Sequence, residues 1–503
     1  MSGLQHATVV RGEFTRGQFI GMGLSAALLY SAVSPFAAKA KTVRFGMATT
    51  GRLSDYCRGD GRDETAEINR CFADHLFVEV DEPPAGIGYG FHANGPGGGI
   101  VLRSGHEVNG RGAASKFLRV GAWERNCKGL INENQPDGDS SIKLNNLYIK
   151  GFRDRPDVPN IDSNSDATGI AIRAANADSW CRDISLTGVE VHNWPGVAMR
   201  FNSGWGVHLT DVKSMNPARG GVQFRTSRDM SLLRVTSGDS GDDAIAFNTD
   251  SHFGSGAISG ITMDRCVSYT RKDPQWGAGL KFGGATDALV TNSTFSYAKN
   301  ALVTIGTFPG FDPRNIRVNN CRMLGGEQHS FEVRANHAAG ISARGNYMHN
   351  PKASCVAVST MDRKPATFDV TVTDNTLSSP GSTHHITVQE NLKGVHTSGN
   401  HLIYEYTTAP RLRLESPKPG SRVSSPVKKL QAYARASVSN SKNDLRKGNV
   451  KLFINNHRAN FDYYKSGAVV RNKPRLRRGK NKVRLEVSFV GKTTQKSWSF
   501  TAR

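Results

Sequence analysis

Residues 238–247 read "GDSGDDAIAF" and set Asp239, Asp242 and Asp243 within five positions. Carboxylates this close repel one another unless a proton, a metal ion or a cationic partner relieves them. The pattern therefore suits acid–base chemistry, a cation seat or a well-solvated turn. Basic groups occur on both sides: Arg219 and Arg225 upstream, and Arg271, Lys272 and Lys281 downstream. What these residues can do depends on the elements that carry them.

Those elements repeat. An apolar residue, two polar or small ones and a column residue recur in "LTGVEV" at 186, "LTDVKS" at 209, "LLRVTS" at 232 and "MDRCVS" at 263. The column runs Leu147, Val189, Val212, Val235, Cys266, Thr294, Cys321, Asn346, Asn375 and Asn400. After a first gap of 42, its spacings are 23, 23, 31, 28, 27, 25, 29 and 25. Short strands at that period, with no amphipathic helix between them, predict a parallel β-helix. Asn346, Asn375 and Asn400 are expected to form an internal ladder that satisfies turn backbone, and Cys266 and Cys321 to fill small core slots.

A second strand column includes "GIAIRA" at 169, "GVAMRF" at 196, "GVQFRT" at 221, "AIAFNT" at 244 and "GLKFGG" at 279. Alternation turns Ile245 and Phe247 inward and Ala246 and Asn248 outward. Aligning these segments on their first residues puts Arg173, Arg200, Arg225, Asn248 and Arg334 in one outward file. Gln223 and Lys281 fall in the adjacent file. Arginines at one-coil intervals suit a linear anionic glycan, and a solvated outer face explains them equally well. Trp276 suits either sugar stacking or loop anchoring.

The segment "CRGDGRDETAEINRCF" at 57–72 resembles the opening of pectin-lyase-like, right-handed β-helix proteins. There it implies a short helix covering the first coil, which Asp63 or Thr65 would cap here. The resemblance spans about residues 43–410. "GDDAIAF" is in turn similar to the segment of polygalacturonase-type glycoside hydrolases whose adjacent aspartates join catalysis, with Ala244 in place of a cysteine. It implies Asp242 and Asp243 as the acid–base pair, with Asp239 as a third carboxylate from proximity. An inverting hydrolase needs one protonated carboxyl for the leaving oxygen and one carboxylate to activate water. Other elements of those enzymes are replaced, by "MNPARGG" at 215–221, "GAG" at 277–279 and "LVTIG" at 302–306. These departures argue against a polygalacturonase.

The competing chemistry is β-elimination or epimerisation of a uronate polymer. It needs a charge that neutralises the substrate carboxylate and a base for the C5 proton. Lys281 is then the expected base, provided its proton affinity is lowered. Asp239, Asp242 and Asp243 would hold Ca²⁺ in this reading, whereas hydrolysis requires no cofactor. A third reading is a non-catalytic envelope glycan-binding protein.

The 503-residue chain carries a net charge of +22, unevenly spread. From Arg411 to Arg503 there are 24 basic residues against four acids, Glu415, Asp444, Asp462 and Glu486. Residues 1–40 combine Arg11 and Arg16, an apolar centre and an "AKA" exit, the pattern of a secretion signal. A periplasmic or secreted protein without a further transmembrane segment is expected. Seven cysteines are too few for a disulfide scaffold, although Cys57 and Cys71 suit a local bridge.

The expected fold is all-β: a right-handed parallel β-helix over 41–410, a linker at 411–420 and a basic β-sandwich over 421–503. "GKNKVRLEVSFVGKTTQKSWSF" at 479–500 resembles the last hairpin of bacterial immunoglobulin-like modules, which implies inward Val483, Leu485, Val487 and Phe489. The cationic tail suits an acidic polysaccharide or another anionic envelope polymer. Export and the lack of an aromatic-basic binding module argue against a specific nucleic acid. Some similar folds assemble as homo-oligomers, so a second copy is one possible partner.

Overall fold

The computed structural model describes residues 49–503 apart from 94–98, 122–125, 154–166, 177, 251–255, 272–276, 309, 363, 380–384, 404–410, 425–426, 428, 436–448, 465–467 and 490–491. The expected secretion signal, Lys272 and Trp276 lie outside the described residues, as does the side chain of Phe489. No helix among the described residues is long and apolar enough to cross a membrane.

Residues from Thr50 to Ile403 wind into a parallel β-helix. A typical coil contributes two strands, such as Arg228–Leu233 and Thr236–Ser240, to one 24-stranded sheet. It contributes a third strand, such as Ile245–Asn248, to a second, 11-stranded parallel sheet. Successive strands of this second sheet are Val197–Asn202, Val222–Arg225, Ile245–Asn248, Leu280–Gly283 and Val303–Gly306. Adjacent parallel strands lie about 4.8 Å apart.

Inward residues stack from coil to coil. Phe201, Phe224, Phe247 and Phe282 are all fully buried, with ring centroids 5.1, 5.0 and 5.4 Å apart. The asparagine ladder is also present. Asn346 Nδ2 donates to Asn375 Oδ1 at 2.9 Å, and Asn375 Nδ2 donates to Asn400 Oδ1 at 2.9 Å. Cys266 and Cys321 are buried in the same column, where desolvation pushes their thiols up to about 11 and about 12. One rung of the expected column is off by a residue. Ser293, not Thr294, takes the inner place, and its Oγ accepts the Cys266 amide at 3.0 Å. Thr294 instead pairs with Val267.

The helix Thr65–Asp74 packs Ile68, Cys71 and Phe72 against the first coils. Asp63 Oδ1 accepts the Thr65 amide at 3.1 Å, which satisfies one of the helix's free N-terminal donors. Cys57 and Cys71 are both buried free thiols in this structure, so the expected bridge is not formed.

From Arg411 the chain forms a four-stranded and a five-stranded sheet around a separate core that includes Leu430, Leu452, Val483, Leu485, Val487 and Phe500. The expected linker at 411–420 already contains structure. Arg411–Ser416 pairs antiparallel with Lys429–Arg435, because alternating Leu412 and Leu414 supply an inward face. Val483, Leu485 and Val487 point inward as expected, and Lys482 is exposed.

Candidate functional site

Asp242 and Asp243 lie in the tight turn between Thr236–Ser240 and Ile245–Asn248. Two glycines allow it to sit against neighbouring coils. A Cβ on Gly241 would lie 1.9 Å from both the Ala218 carbonyl oxygen and Arg271 Nη2. Gly277, with φ +122°, meets the Asp242 backbone, and a Cβ there would come within 2.4 Å of it. The turn is pinned on both sides, by Gly221 N–H to Asp243 O at 3.2 Å and Ala244 N–H to Ala278 O at 2.9 Å.

The two aspartates differ sharply in environment. Asp243 is 7% exposed. Its Oδ1 accepts the Ala278 amide at 2.9 Å and its Oδ2 accepts from Lys281 Nζ at 3.1 Å. Asp242 is half-buried, and Arg219 Nη2 lies 4.0 Å from its Oδ2. Burial, reinforced by the negative charge of Asp243, raises the Asp242 carboxyl above the usual carboxylate range. The Lys281 ammonium shifts the same way for the opposite reason: Asp243 stabilises its charged form and outweighs desolvation. The turn thus combines a carboxyl that retains its proton to higher pH with a lysine that holds its own more tightly. Lys281 therefore does not meet the condition set for a base.

Asp239 does not join this pair. It sits in Thr236–Ser240 of the other sheet, exposed, with φ +54°. Its charge acts on Arg153, Tyr269 and Arg271. The expected three-aspartate calcium seat consequently has no shared set of donors. Among the described residues no group of three or more His, Cys, Asp or Glu is arranged to hold a metal ion.

The arginine files also need correction. Register pairs Arg173 with Asn202, Asn202 with Arg225, and Arg225 with Asn248. Arg200 instead pairs with Gln223, whose file continues through Ala246, Lys281, Thr304 and Glu332. The stacked phenylalanines, rather than the leading glycines, set the alignment and shift Arg200 by two residues. Most of these side chains have partners: Arg173 Nε donates to Gln135 Oε1, Arg200 Nη2 to Gln223 Oε1 at 3.4 Å, and Arg225 Nη1 to Asp250 Oδ2 at 3.2 Å. Asn248 Oδ1 is buried without a hydrogen-bond partner among the described residues. Arg225 and Lys281 therefore occupy adjacent outward files of one sheet, with Asp242 where its strand begins. Sequence reading missed Glu332, although aligning Phe282 with Val333 puts it in the Lys281 file.

Residues 195–377 match the family model described as "Right handed beta helix region". No curated protein matches the sequence. Among solved structures, the A-module of the Azotobacter vinelandii mannuronan C-5 epimerase AlgE4 superposes with a TM-score of 0.56 at 14% identity, covering 71% of this chain and 98% of that one. The A-module of AlgE6 from the same organism gives 0.52 at 16%, covering 71% and 96%. The catalytic domain of a GH87 α-1,3-glucanase in complex with tetrasaccharides gives 0.50 at 10%, covering 71% and 70%. At these identities the likeness establishes the fold, a right-handed parallel β-helix.

Proposed function

We propose that this right-handed β-helix is an exported enzyme that hydrolyses an acidic polysaccharide, with Asp242 as proton donor to the leaving glycosidic oxygen. The carrying observation is the inequality of the aspartate pair. Asp243 is clamped by an amide and Lys281, while its charge and burial keep Asp242 protonated to higher pH. This is how a general acid is separated from a neighbouring carboxylate.

Asp243, with both oxygens engaged, is the positioning partner. It holds Lys281 cationic and directed along the outer face, where the ammonium receives an anionic sugar group. Water must be activated by a carboxylate elsewhere. Glu332, although in the Lys281 file, is three strands and hence about 14 Å along the sheet from the coil of Asp242, beyond the roughly 6.5–9.5 Å between carboxyl groups in inverting enzymes, and does not fill this role. In the reaction Asp242 gives its proton to the departing oxygen, water adds to the sugar, and that second carboxylate takes the proton that water loses.

Polysaccharide as substrate class is supported by the names of the similar structures, two mannuronan epimerases and an α-1,3-glucanase. The epimerases favour C5 chemistry as the second reading. It requires a base other than Lys281, whose proton affinity is raised. The basic tail, which we read as an immunoglobulin-like accessory module, would retain the polymer at the envelope. Incubation with mannuronan, polygalacturonate and α-1,3-glucan, followed by product masses, reducing ends and ultraviolet absorbance, tests the proposal. Reducing ends with added water are expected. An unsaturated uronate, or an inverted uronate in an uncut chain, would replace this reading with elimination or epimerisation, and unaltered bound polymer would make the protein a binder.

A further inference from the structure

A groove of about 850 Å³ opens on the face beyond Ser240, and its lining includes Asp239, Tyr269, Arg271, Tyr297, Lys299 and Lys352. A left-handed turn position recurs along this face on both sides of a register shift between Thr236–Ser240 and Val267–Thr270: Asn193, Asn216 and Asp239 before it, and Tyr297, Gly325 and Asn350 after it. Their φ angles are +51°, +56°, +54°, +53°, +65° and +56°. Asn, Asp and Gly enter left-handed backbone at little cost, whereas a bulky aromatic residue is strained there. Tyr297 alone in this series is aromatic. It is also 68% exposed, so burial of its ring does not offset the strain. Thr270 Oγ1 donates to the Tyr297 carbonyl and helps hold the backbone in place. A strained position that spends its side chain on solvent points to function.

We propose that Tyr297 is a stacking platform for a sugar unit of the polymer, at a subsite separate from the carboxylate turn. The polymer's identity rests on the reading above; the platform rests on this geometry. A tyrosine presents an apolar face to the C–H side of a sugar ring and a hydroxyl at its edge. Around it, Lys299 and Lys352 bracket Glu327 at 3.1 and 2.8 Å, fixing charged donors at the rim. Arg271 links the two places. Its Nη2 donates to the Ala218 carbonyl at 2.7 Å beside Gly241, one residue before Asp242, and its Nε is buried without a hydrogen-bond partner among the described residues. Three cations against Asp239 and Glu327 favour an acidic chain.

The test uses the full chain carrying Asp242→Asn, titrated by calorimetry with mannuronan, polygalacturonate and α-1,3-glucan oligosaccharides. Adding Tyr297→Asn should weaken binding of an acidic oligosaccharide about five-fold or more. The same change should raise Tm, because asparagine accepts this backbone. Tyr297→Phe should retain binding. Unchanged affinity in Tyr297→Asn, a fall in its Tm, or no binding of any of these glycans to the chain with Tyr297 intact overturns the platform. Absence of cleavage by the natural chain, combined with the expected binding pattern, defeats the hydrolase reading alone. Cleavage with unchanged affinity in Tyr297→Asn does the reverse.

Discussion

Lys281 Nζ lies 3.1 Å from Asp243 Oδ2, while the other oxygen of Asp243 accepts the Ala278 amide at 2.9 Å. The aspartate is buried and the lysine about one-third exposed, so the pair joins the inside of the turn to the outer face of the sheet. This relationship gives unequal environments to two adjacent carboxyls that look equivalent in the sequence.

Removing the lysine should expose that dependence. Lys281→Met leaves the Asp243 charge buried with only the Ala278 amide. A fully buried broken pair costs about 3–5 kcal/mol, and the partial exposure of Lys281 reduces this to roughly 2 kcal/mol. Chemical denaturation should register the loss, and Lys281→Arg should recover most of it. No change in either variant would mean that the pair is idle.

The pH dependence follows from the raised Asp242 carboxyl. As a proton donor it works while protonated, so turnover should fall as pH rises through its elevated pKa. Asp242→Asn should abolish that limb and lower kcat by about 10²–10⁴-fold. Stability carries the same sign. A carboxyl whose folded pKa is raised resists ionisation in the folded chain, so stability declines as pH climbs from the ordinary carboxylate value to the raised one. Lys281 behaves differently: its raised pKa contributes stability that persists through neutral pH and is lost only as alkaline pH passes its folded pKa. Retention of the high-pH fall by Asp242→Asn would move the donor elsewhere.

The coil architecture was legible because its period is written in apolar residues that must stack. The Asn346–Asn375–Asn400 ladder and inward Phe247 could be read from spacing alone. Register was harder. "GVAMRF" and "GVQFRT" align by eye on Gly196 and Gly221, but ring stacking aligns Phe201 with Phe224 and moves Arg200 to the Lys281 file. The carboxylate pair was visible as a motif, yet its inequality depends on Ala278 and Lys281 from the next coil. Asp239 illustrates the limit of proximity in sequence, since a strand end separates it from the pair and turns it toward Arg271. The strain at Tyr297 is a backbone property that no composition signal carries.

The asparagine ladder offers a test of the scaffold. Asn375 donates to Asn400 Oδ1 and the Ala343 carbonyl, and accepts from the Asn346 amide and Nδ2. Asn375→Ala strands several of these buried groups, each at about 1–3 kcal/mol. A loss of roughly 3 kcal/mol in the coils around Tyr347 and Thr376 is expected, visible as faster amide exchange there. Because a solenoid's coils interact mainly with their neighbours, exchange near Phe72 should change little. Uniform acceleration along the whole helix would show instead that the array unfolds as one unit.

The basic sandwich makes a prediction of a different kind. Arg475, Arg477, Arg478 and Lys480 are exposed on one short stretch before the strand Gly479–Phe489 and at its start. Attraction between such solvated charges and a polyanion is screened beyond about 8 Å at physiological ionic strength. Retention of the full chain on an alginate gel should therefore fall steeply with added salt. Replacing Arg475, Arg477 and Arg478 together by glutamate should shift elution to markedly lower salt, while leaving the pH profile of turnover in place, because the Asp242–Lys281 site lies on the β-helix. Salt-insensitive retention, or retention unaffected by the triple replacement, would remove this stretch from polymer capture and leave its charge as a solubility device.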